Sequence, residues 1–238
     1  MPSPLDRSLS RSTPPQDFSR IDSVLREAVA GGDVPGVVAA VSDRCGVVYE
    51  GAAGCAASGT AMRPDTIFRV ASMTKLMTSV AIMMLHEEGR LDLDDPLAQH
   101  LPGFEQPGVL VSFDEETAAY TVREASRQIT LRDMLTHTSG FGYWFLNREV
   151  LREANGRVNL FGAPFLMHDP GAKFSYGIST DILGLIVEPV SGLPLDGFMR
   201  TRIWRPLGMR ATGFELPRES ARLASLRRRA GDGFEELP

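Results

Sequence analysis

A long apolar segment between residues 73 and 85 has the period of an α-helix. Apolar side chains recur on nearly every side of its axis, at Met73, Leu76, Met77, Val80, Ala81, Met84 and Leu85. A helix that is apolar almost all round is buried in a core rather than lying on the surface. Gly89 follows the segment and is typical of the left-handed residue that ends a helix. The pattern therefore predicts a buried central helix that ends near Gly89.

Five shorter helices are predicted where a capping residue precedes an apolar stripe. Serine, threonine and aspartate side chains accept hydrogen bonds from the free N–H groups of a first turn, and proline is tolerated at the first helical position. These helices are expected to begin at Asp17 or Ser19, after Asp94 or Asp95, at Thr130, at Ser179 or Thr180, and at Pro194. Because a proline inside a helix lacks an N–H group, Pro189 is expected to kink or end the fourth of them.

Strand patterns are few in this sequence. Residues 37–41 and 47–49 are rich in valine and flank a glycine-containing loop, which predicts one hairpin. Residues 51–59 indicate a loop or a sheet edge, and residues 102–126 indicate a loop with at most one short strand. From residue 216 on the chain is arginine-rich and polar, and no closing strand is predicted. Since a lone hairpin is marginal in water, either helices complete the fold or further strands of the sheet lie outside this chain.

Composition and charge narrow the functional classes. The 238 residues are 43% hydrophobic and 23% charged, as in a soluble globular protein. The net charge of −5 comes without a long basic block, so neither nucleic acid nor a membrane is expected as a partner. Two cysteines and no zinc-like spacing predict no disulfide framework, no metal and no cofactor. Residues 1–16 lack the apolar core of a signal peptide, which predicts a flexible tail on a cytoplasmic protein.

Ser72 and Lys75 are the first candidates for chemistry. They are expected in the first turn of the central helix, on one face, where unpaired N–H groups and the helix dipole favour an oxyanion. Lys75 could take the Ser72 proton if burial lowers its pKa from about 10.4. Only two of the 25 basic residues are lysines, Lys75 and Lys173, and arginine cannot serve as a base. The local pattern equally allows a capping Ser72 and a solvated Lys75.

Several motifs occur in a defined order along the chain. They are residues 68–75 (Phe-Arg-Val-Ala-Ser-Met-Thr-Lys), 89–96 (Gly-Arg-Leu-Asp-Leu-Asp-Asp-Pro), 129–140 (Ile-Thr-Leu-Arg-Asp-Met-Leu-Thr-His-Thr-Ser-Gly), 170–176 (Pro-Gly-Ala-Lys-Phe-Ser-Tyr) and 206–209 (Pro-Leu-Gly-Met). Together they resemble the serine β-lactamase and penicillin-binding protein superfamily, most closely the class C β-lactamase-like esterases known as family VIII carboxylesterases. The resemblance runs from about residue 18 to residue 223.

The resemblance implies an α+β fold of the β-lactamase/transpeptidase type. In this fold helices flank an antiparallel sheet, and a mainly helical subdomain adjoins it. After the tail of residues 1–16, one domain is expected over residues 17–238. Its sheet region would span residues 17–70 and its mainly helical region residues 71–216.

The resemblance also implies the catalytic residues. Ser72 would be the acylated nucleophile, Lys75 would assist proton transfer, and Tyr176 would be the base. An adjacent ammonium favours the phenolate of a tyrosine, whose free pKa is near 10. His137 is expected to buttress a helix end rather than act as a triad base.

Three further residues are candidates for substrate binding. Tyr143 and Trp144 follow the His-Thr-Ser-Gly turn and could line an acyl pocket, although aromatic packing beneath a loop is equally compatible with the sequence. Ile178 stands where lactamases and peptidases have asparagine, and an apolar residue there favours esters. The implied function is therefore a carboxylesterase for small or short-chain esters. The alternatives are a β-lactamase or D-alanyl-D-alanine peptidase, and a catalytically silent module.

Relatives of this type carry a third motif, Lys-Thr-Gly or His/Trp-x-Gly, on a strand beyond the point where this chain stops. That strand supplies an oxyanion-hole N–H, and the loss of one such donor costs on the order of 10²–10³ in rate. Gly231-Asp232-Gly233 has no Lys, His or Trp before it. The chain is thus expected to be the N-terminal portion of a longer enzyme or a shortened homologue, and its activity without the motif is left open.

Overall fold

The computed structural model describes residues 17–143, 145–153, 165–215 and 221–237. The predicted tail of residues 1–16 lies outside these ranges. The chain forms two compact units. The first contains the described residues up to Arg69 together with those after Leu216, and the second spans Val70–Glu215.

The first unit opens with a helix and a three-stranded antiparallel sheet. Its elements are α1 (Ser19–Ala30), β1 (Gly36–Asp43), β2 (Gly46–Ala57) and β3 (Thr60–Ala61), with strand order β1-β2-β3. The predicted first helix and the predicted hairpin are confirmed.

Strand β2 is longer than the sequence pattern predicted, because residues 51–57 continue it. Their small side chains hid the strand, yet residues 51–54 pair with β1, with Gly54 opposite Gly36, and Cys55 and Ala57 pair with β3. A Cβ atom on Gly36 would lie 2.6 Å from the Cys55 carbonyl oxygen. The close approach of the two strands therefore requires glycine at this position.

The second unit contains most of the helices and a second small sheet. Its elements are a 3₁₀ turn (Ala71–Met73), α2 (Thr74–Glu87), α3 (Leu97–His100), β4 (Gly108–Phe113), β5 (Tyr120–Glu124), α4 (Leu131–Leu135), α5 (Arg148–Glu153), β6 (Phe165–Leu166), α6 (Ser179–Ser191), α7 (Leu195–Met199) and a π-helical turn (Arg200–Trp204). The strand order is β5-β4-β6. The helices predicted near Pro96, Thr130, Ser179 and Pro194 are confirmed.

The core of the second unit lies where α6 packs against α2, α4 and α7. Fully buried side chains there include Leu85, Met134, Leu183, Ile186 and Phe198. The prediction that α2 is buried all round is wrong, since Met73 is 72% exposed and Leu76 63% exposed. Helices α6 and α7 pack against α2, whereas Met73, Leu76 and Met83 are exposed.

The prediction that residues 102–126 form a loop with at most one short strand is also wrong, since β4 and β5 form an antiparallel hairpin there. The acidic residues 114–116, which suggested a loop, form the turn between β4 and β5. Asp114 Oδ1 accepts hydrogen bonds from the backbone N–H groups of Glu116 at 3.0 Å and Thr117 at 2.8 Å. Asparagine and aspartate often close turns in this way.

Helix α6 continues past Pro189 and ends at Gly192, whose φ of 77° is left-handed. The helical partner that proline removes is the carbonyl of Leu185, which lies on the exposed side of α6 and can be hydrated. In the described part of the chain, no single helix is long and apolar enough to cross a membrane. Only α6 together with the segment Leu195–Trp204 has the length and composition, and the two are bent by 78°.

The chain returns to the first unit and ends in a further hairpin, β7 (Arg227–Ala230) and β8 (Gly233–Glu236). The prediction that no strand follows residue 216 is therefore wrong. Charged side chains pair across the strands, Arg227 with Glu236 at 2.8 Å and Arg228 with Glu235. Such cross-strand pairs stabilise a sheet, but neither strand has the apolar alternation that predicts one.

Candidate active site

Ser72 lies in the 3₁₀ turn that leads into α2, just before the first α-helical turn in which it was predicted. The preceding residue, Ala71, has a φ of 43°. This left-handed conformation costs an L-residue on the order of 1 kcal/mol or more. The Ser72 side chain is exposed, and it has no hydrogen-bond partner among the residues that the structure describes. Its hydroxyl is therefore available to an incoming group.

A cavity of about 440 Å³ opens beside Ser72 within the second unit. It is lined by Ala71, Ser72, Thr74, Lys75, Thr78, Tyr143, Thr180, Asp181, Gly184, Leu195 and Phe214. Three of the predicted site residues, Ser72, Lys75 and Tyr143, thus share one cavity. Trp144 lies outside the described residues.

Lys75 is held in the cavity wall by two polar partners. Its side chain is 17% exposed, and its Nζ donates hydrogen bonds to the Tyr143 hydroxyl at 2.8 Å and to Asp181 Oδ2 at 3.4 Å. Burial favours the neutral amine and lowers the pKa, but these two partners together with Tyr176 outweigh it, so the pKa of Lys75 is raised. The prediction of a lowered Lys75 pKa is wrong, because it counted burial without the carboxylate.

Tyr143 bridges this lysine and the carboxylate. Its hydroxyl donates to Asp181 Oδ2 at 2.6 Å while it accepts from Lys75. Burial and the hydrogen bond to Asp181 raise the pKa of Tyr143 against the opposing effect of Lys75. Tyr143 is therefore a neutral phenol at physiological pH. Its ring stacks on Phe145, with the ring centres 4.7 Å apart.

Tyr176 lies on the loop between β6 and α6, at the edge of this cluster. Its ring is 5.4 Å from Lys75 Nζ, 5.5 Å from the Tyr143 ring and 4.9 Å from the His137 ring. Within the described ranges its hydroxyl has no hydrogen-bond partner. Tyr176 does not line the cavity, but its ring faces the ammonium of Lys75.

The loop that carries Tyr176 is fastened on both sides. The Ser175 N–H donates to the His137 carbonyl at 2.7 Å, and the Ser175 hydroxyl is 2.8 Å from His168 Nε2. The other ring nitrogen of His168 is 2.8 Å from the Asp169 carbonyl. These bonds fix the backbone immediately before Tyr176.

His137 follows the C-cap residue of α4, Thr136. Its backbone is left-handed, with a φ of 56°. Its Nδ1 is buried and has no partner in the part of the chain described. Burial and the charge of Lys75 lower its pKa, although Asp181 opposes them, so the imidazole is neutral at physiological pH. Its ring packs on Tyr176 and Phe174. This geometry fits a buttress rather than a triad base.

Ile178 does not reach the cavity. It is 3% exposed, belongs to the core of the second unit, and its carbonyl accepts the first hydrogen bond of α6 from Ile182. Contact between Ile178 and a substrate, as predicted, does not fit this placement, because a side chain at the start of a core helix points into the packing.

Sequence reasoning missed Asp181, in the first turn of α6. An acidic residue is common in the first turn of a helix, where its negative charge interacts favourably with the helix dipole. No local pattern therefore marked Asp181 as a site residue. The one available signal was its position five residues after Tyr176, in a helix predicted to be apolar.

Comparison with known proteins gives a consistent picture. The family model described as Beta-lactamase matches residues 21–238. Monacolin J acid methylbutanoyltransferase of Aspergillus terreus is 34% identical over 224 residues, which cover 86% of this chain and 53% of that protein. Esterase EstB of Burkholderia gladioli is 33% identical over 215 residues, which cover 82% of this chain and 51% of the esterase. The chain thus spans about half the length of the curated relatives it matches.

The fold is shared with a solved structure, the LovD6 mutant of simvastatin synthase from Aspergillus terreus. The two superpose with a TM-score of 0.80 at 33% sequence identity, over 92% of this chain and 58% of the other. The expected β-lactamase/transpeptidase-like fold, with mixed helices and sheets, is therefore confirmed.

Proposed function

Because the chain belongs to the β-lactamase family, whose members similar to it include an esterase and an acyltransferase, we propose that it is a serine hydrolase. Ser72 forms the acyl-enzyme, and the substrate is a small or short-chain carboxylic ester. The observation that carries the proposal is the Ser72 hydroxyl, which is exposed, has no hydrogen-bond partner in the described ranges, and shares a cavity wall with the Lys75–Asp181 pair.

Among the polar groups clustered around Lys75, three are already committed to one another. Lys75 is held as an ammonium, and the Tyr143 hydroxyl donates its hydrogen bond to Asp181. The carboxylate of Asp181 is occupied as the acceptor of both. Tyr176 faces the Lys75 ammonium, and its hydroxyl has no hydrogen-bond partner among the described residues. These contacts support Tyr176 as the base.

The reaction then runs in two balanced halves. Ser72 Oγ bonds to the ester carbonyl carbon as its proton passes to the phenolate oxygen of Tyr176, and the bond to the alcohol oxygen breaks as that oxygen takes the proton from Tyr176. Water repeats the sequence, since it gives a proton to Tyr176, bonds to the acyl carbon and releases Ser72 with its proton. The N–H groups at the start of α2 and the Lys75 ammonium favour the oxyanion of each step.

The cavity favours a neutral substrate. Among the described residues that line it, Lys75 is the one cation and Asp181 the one carboxylate, and the two neutralise each other. Ala71, Leu195 and Phe214 make much of the remaining wall apolar. A β-lactam or a D-alanyl peptide carries a carboxylate that would need its own cation, whereas a small ester does not. A volume of about 440 Å³ is in the range of small-molecule sites.

Acyl transfer to an alcohol is a second candidate function. It is favoured by the similarity to a protein named as a methylbutanoyltransferase. The same acyl-Ser72 would serve, and an acceptor alcohol would replace water in the second half of the reaction.

The first experiment measures hydrolysis of p-nitrophenyl butyrate by the 238-residue chain, by Ser72→Ala and by Ser79→Ala. Ser79 lies on the same helix but does not line the cavity. We expect hydrolysis by the chain and by Ser79→Ala, and a loss on the order of 10³-fold or more in Ser72→Ala. Equal rates in all three proteins, at the level of buffer, would rule out an active hydrolase in this chain.

Two further measurements distinguish the proposed esterase from a silent module and from an acyltransferase. Labelling of Ser72 by a fluorophosphonate without ester turnover would indicate a catalytically silent module. Formation of butyl butyrate when 1-butanol is added would indicate acyl transfer.

A further inference from the structure

We propose that Asp181 is a positioning residue of this site, which holds the Tyr143 hydroxyl and the Lys75 amino group in place from one carboxylate oxygen, so that Lys75 acts as a fixed cation and not as the base. This inference rests on the proposed function for its catalytic meaning. Its physical content, the charge of Lys75, can be tested without any substrate.

The geometry joins three separate segments through one carboxylate oxygen. Asp181 Oδ2 lies 2.6 Å from the Tyr143 hydroxyl and 3.4 Å from Lys75 Nζ, and the latter two atoms are 2.8 Å apart. Lys75 is in the first turn of α2 and Asp181 in the first turn of α6. The two helices pack directly against each other, which fixes the spacing of the triangle.

Every titratable group that faces Lys75 is accounted for in the described structure. Asp181 approaches from α6, Tyr143 from the loop after α4, Tyr176 from the loop before α6, and His137 from the end of α4. Of these only Asp181 is a carboxylic acid, and the His137 imidazole is neutral because burial and the charge of Lys75 lower its pKa. The charge that balances the ammonium therefore comes from one residue.

Removal of that carboxylate would leave Lys75 buried with weaker support. Burial is the largest single influence on its pKa and acts to lower it. Without Asp181, the Tyr143 hydroxyl also loses its hydrogen-bond acceptor, and the side chain is then free to rotate away from Lys75. If Asp181 served only the dipole of α6, its loss would not change the titration of Lys75.

The composition of the chain permits a direct measurement. Lys75 and Lys173 are its only lysines, so a protein labelled with ¹³Cε-lysine gives two side-chain signals, and Lys173→Arg leaves Lys75 alone. We expect Lys75 in this background to titrate above the exposed Lys173 of the parent protein. Asp181→Asn should lower the Lys75 midpoint by about 1 pH unit, and Asp181→Glu should restore part of the shift.

Asp196→Asn is the matched control. Asp196 lies in the first turn of α7 and its side chain is 47% exposed, against 52% for Asp181, but it pairs with Arg200. We expect no change in the Lys75 midpoint there. Tyr143→Phe is a second test if Asp181→Asn does not fold, and it should shift the Lys75 midpoint downward as well. A Lys75 midpoint that stays at the parent value in Asp181→Asn or in Tyr143→Phe would overturn the proposal.

Kinetics supply an independent readout once ester hydrolysis is established. Asp181→Asn should lower kcat by about tenfold or more with a smaller change in KM, since Lys75 loses the anchor that fixes its ammonium beside the oxyanion, and Asp181→Glu should recover part of kcat. An unchanged kcat would contradict the catalytic part of the proposal. Failure of the parent chain to hydrolyse esters would refute the proposed function alone, because the lysine titration decides the charge of Lys75 by itself.

Discussion

At the residue scale, the site depends on a glycine position where the neighbouring backbone leaves no room for a side chain. Gly177 follows Tyr176, and a Cβ atom there would lie 2.0 Å from the Phe141 carbonyl oxygen. This contact holds the Tyr176 loop against the segment that leads to Tyr143. Because both tyrosines take their positions from it, a change at Gly177 acts on the site as well as on stability.

We expect Gly177→Ala to reduce the free energy of unfolding by about 1–3 kcal/mol, the usual cost of overpacking a close backbone contact, and to reduce ester hydrolysis further than stability explains. Urea unfolding and the ester assay measure the two effects. Gly213→Ala is the control, since a Cβ there meets Glu215 at an ordinary 3.5 Å. Equal behaviour of the two variants would show that the Gly177 contact carries no strain.

At the element scale, α4 shows how a short helix can be stabilised by its first turn. The Thr130 hydroxyl accepts from the Asp133 N–H at 3.2 Å, and the Asp133 carboxylate accepts from the Thr130 N–H at 2.9 Å. This capping box satisfies two N–H groups that the helix leaves free. Because α4 is only five residues long and His137 follows directly after its C-cap Thr136, the start of the helix also sets the position of the buttress under Tyr176.

We expect Thr130→Ala to cost about 1 kcal/mol of unfolding free energy, because the Asp133 N–H then loses its acceptor. Thr130→Ser keeps the hydroxyl and should remain close to the parent protein in the same urea titration. If both variants lost the same stability, the methyl group of Thr130 and not its hydroxyl would be responsible.

At the scale of the whole molecule, stability is linked to acid through Asp133. Arg127 donates to both of its carboxylate oxygens, at 2.6 and 2.8 Å. Burial of the carboxyl raises its pKa, but the bonds from Arg127 and Thr130 outweigh this effect, so the pKa of Asp133 lies below its ordinary value. The folded state thus binds this proton less readily than the unfolded state. The stabilisation is complete above about pH 4 and is lost as the pH falls through the folded pKa.

We expect Asp133→Asn to lower the unfolding free energy by about 2–3 kcal/mol at pH 7, since hydrogen bonds to a charged group are lost. The difference from the parent protein should shrink as the pH is lowered from 5 to 3, because the parent loses the same contribution. Urea unfolding at a series of pH values measures it. A difference that stays constant over this range would mean that Asp133 stabilises through its packing alone.

The amino-acid sequence by itself determined the elements that depend on neighbouring residues. The apolar period and the caps located α1, α4 and α6, and the valine runs located the hairpin of β1 and β2. The motif spacing brought Ser72 and Lys75 to the start of α2. These features follow from contacts within a few residues, such as the Thr130–Asp133 capping box, so a local pattern carries them.

Only the tertiary structure decided what comes together from distant parts of the chain. The hairpin of β7 and β8 is held by cross-strand charges that no apolar alternation marks, and Ile178 is packed into the core instead of the cavity. Asp181 meets Lys75 from 106 residues away. The charge of Lys75 is a balance between burial and that carboxylate, and a balance of opposing effects is defined only once both groups have a position in space.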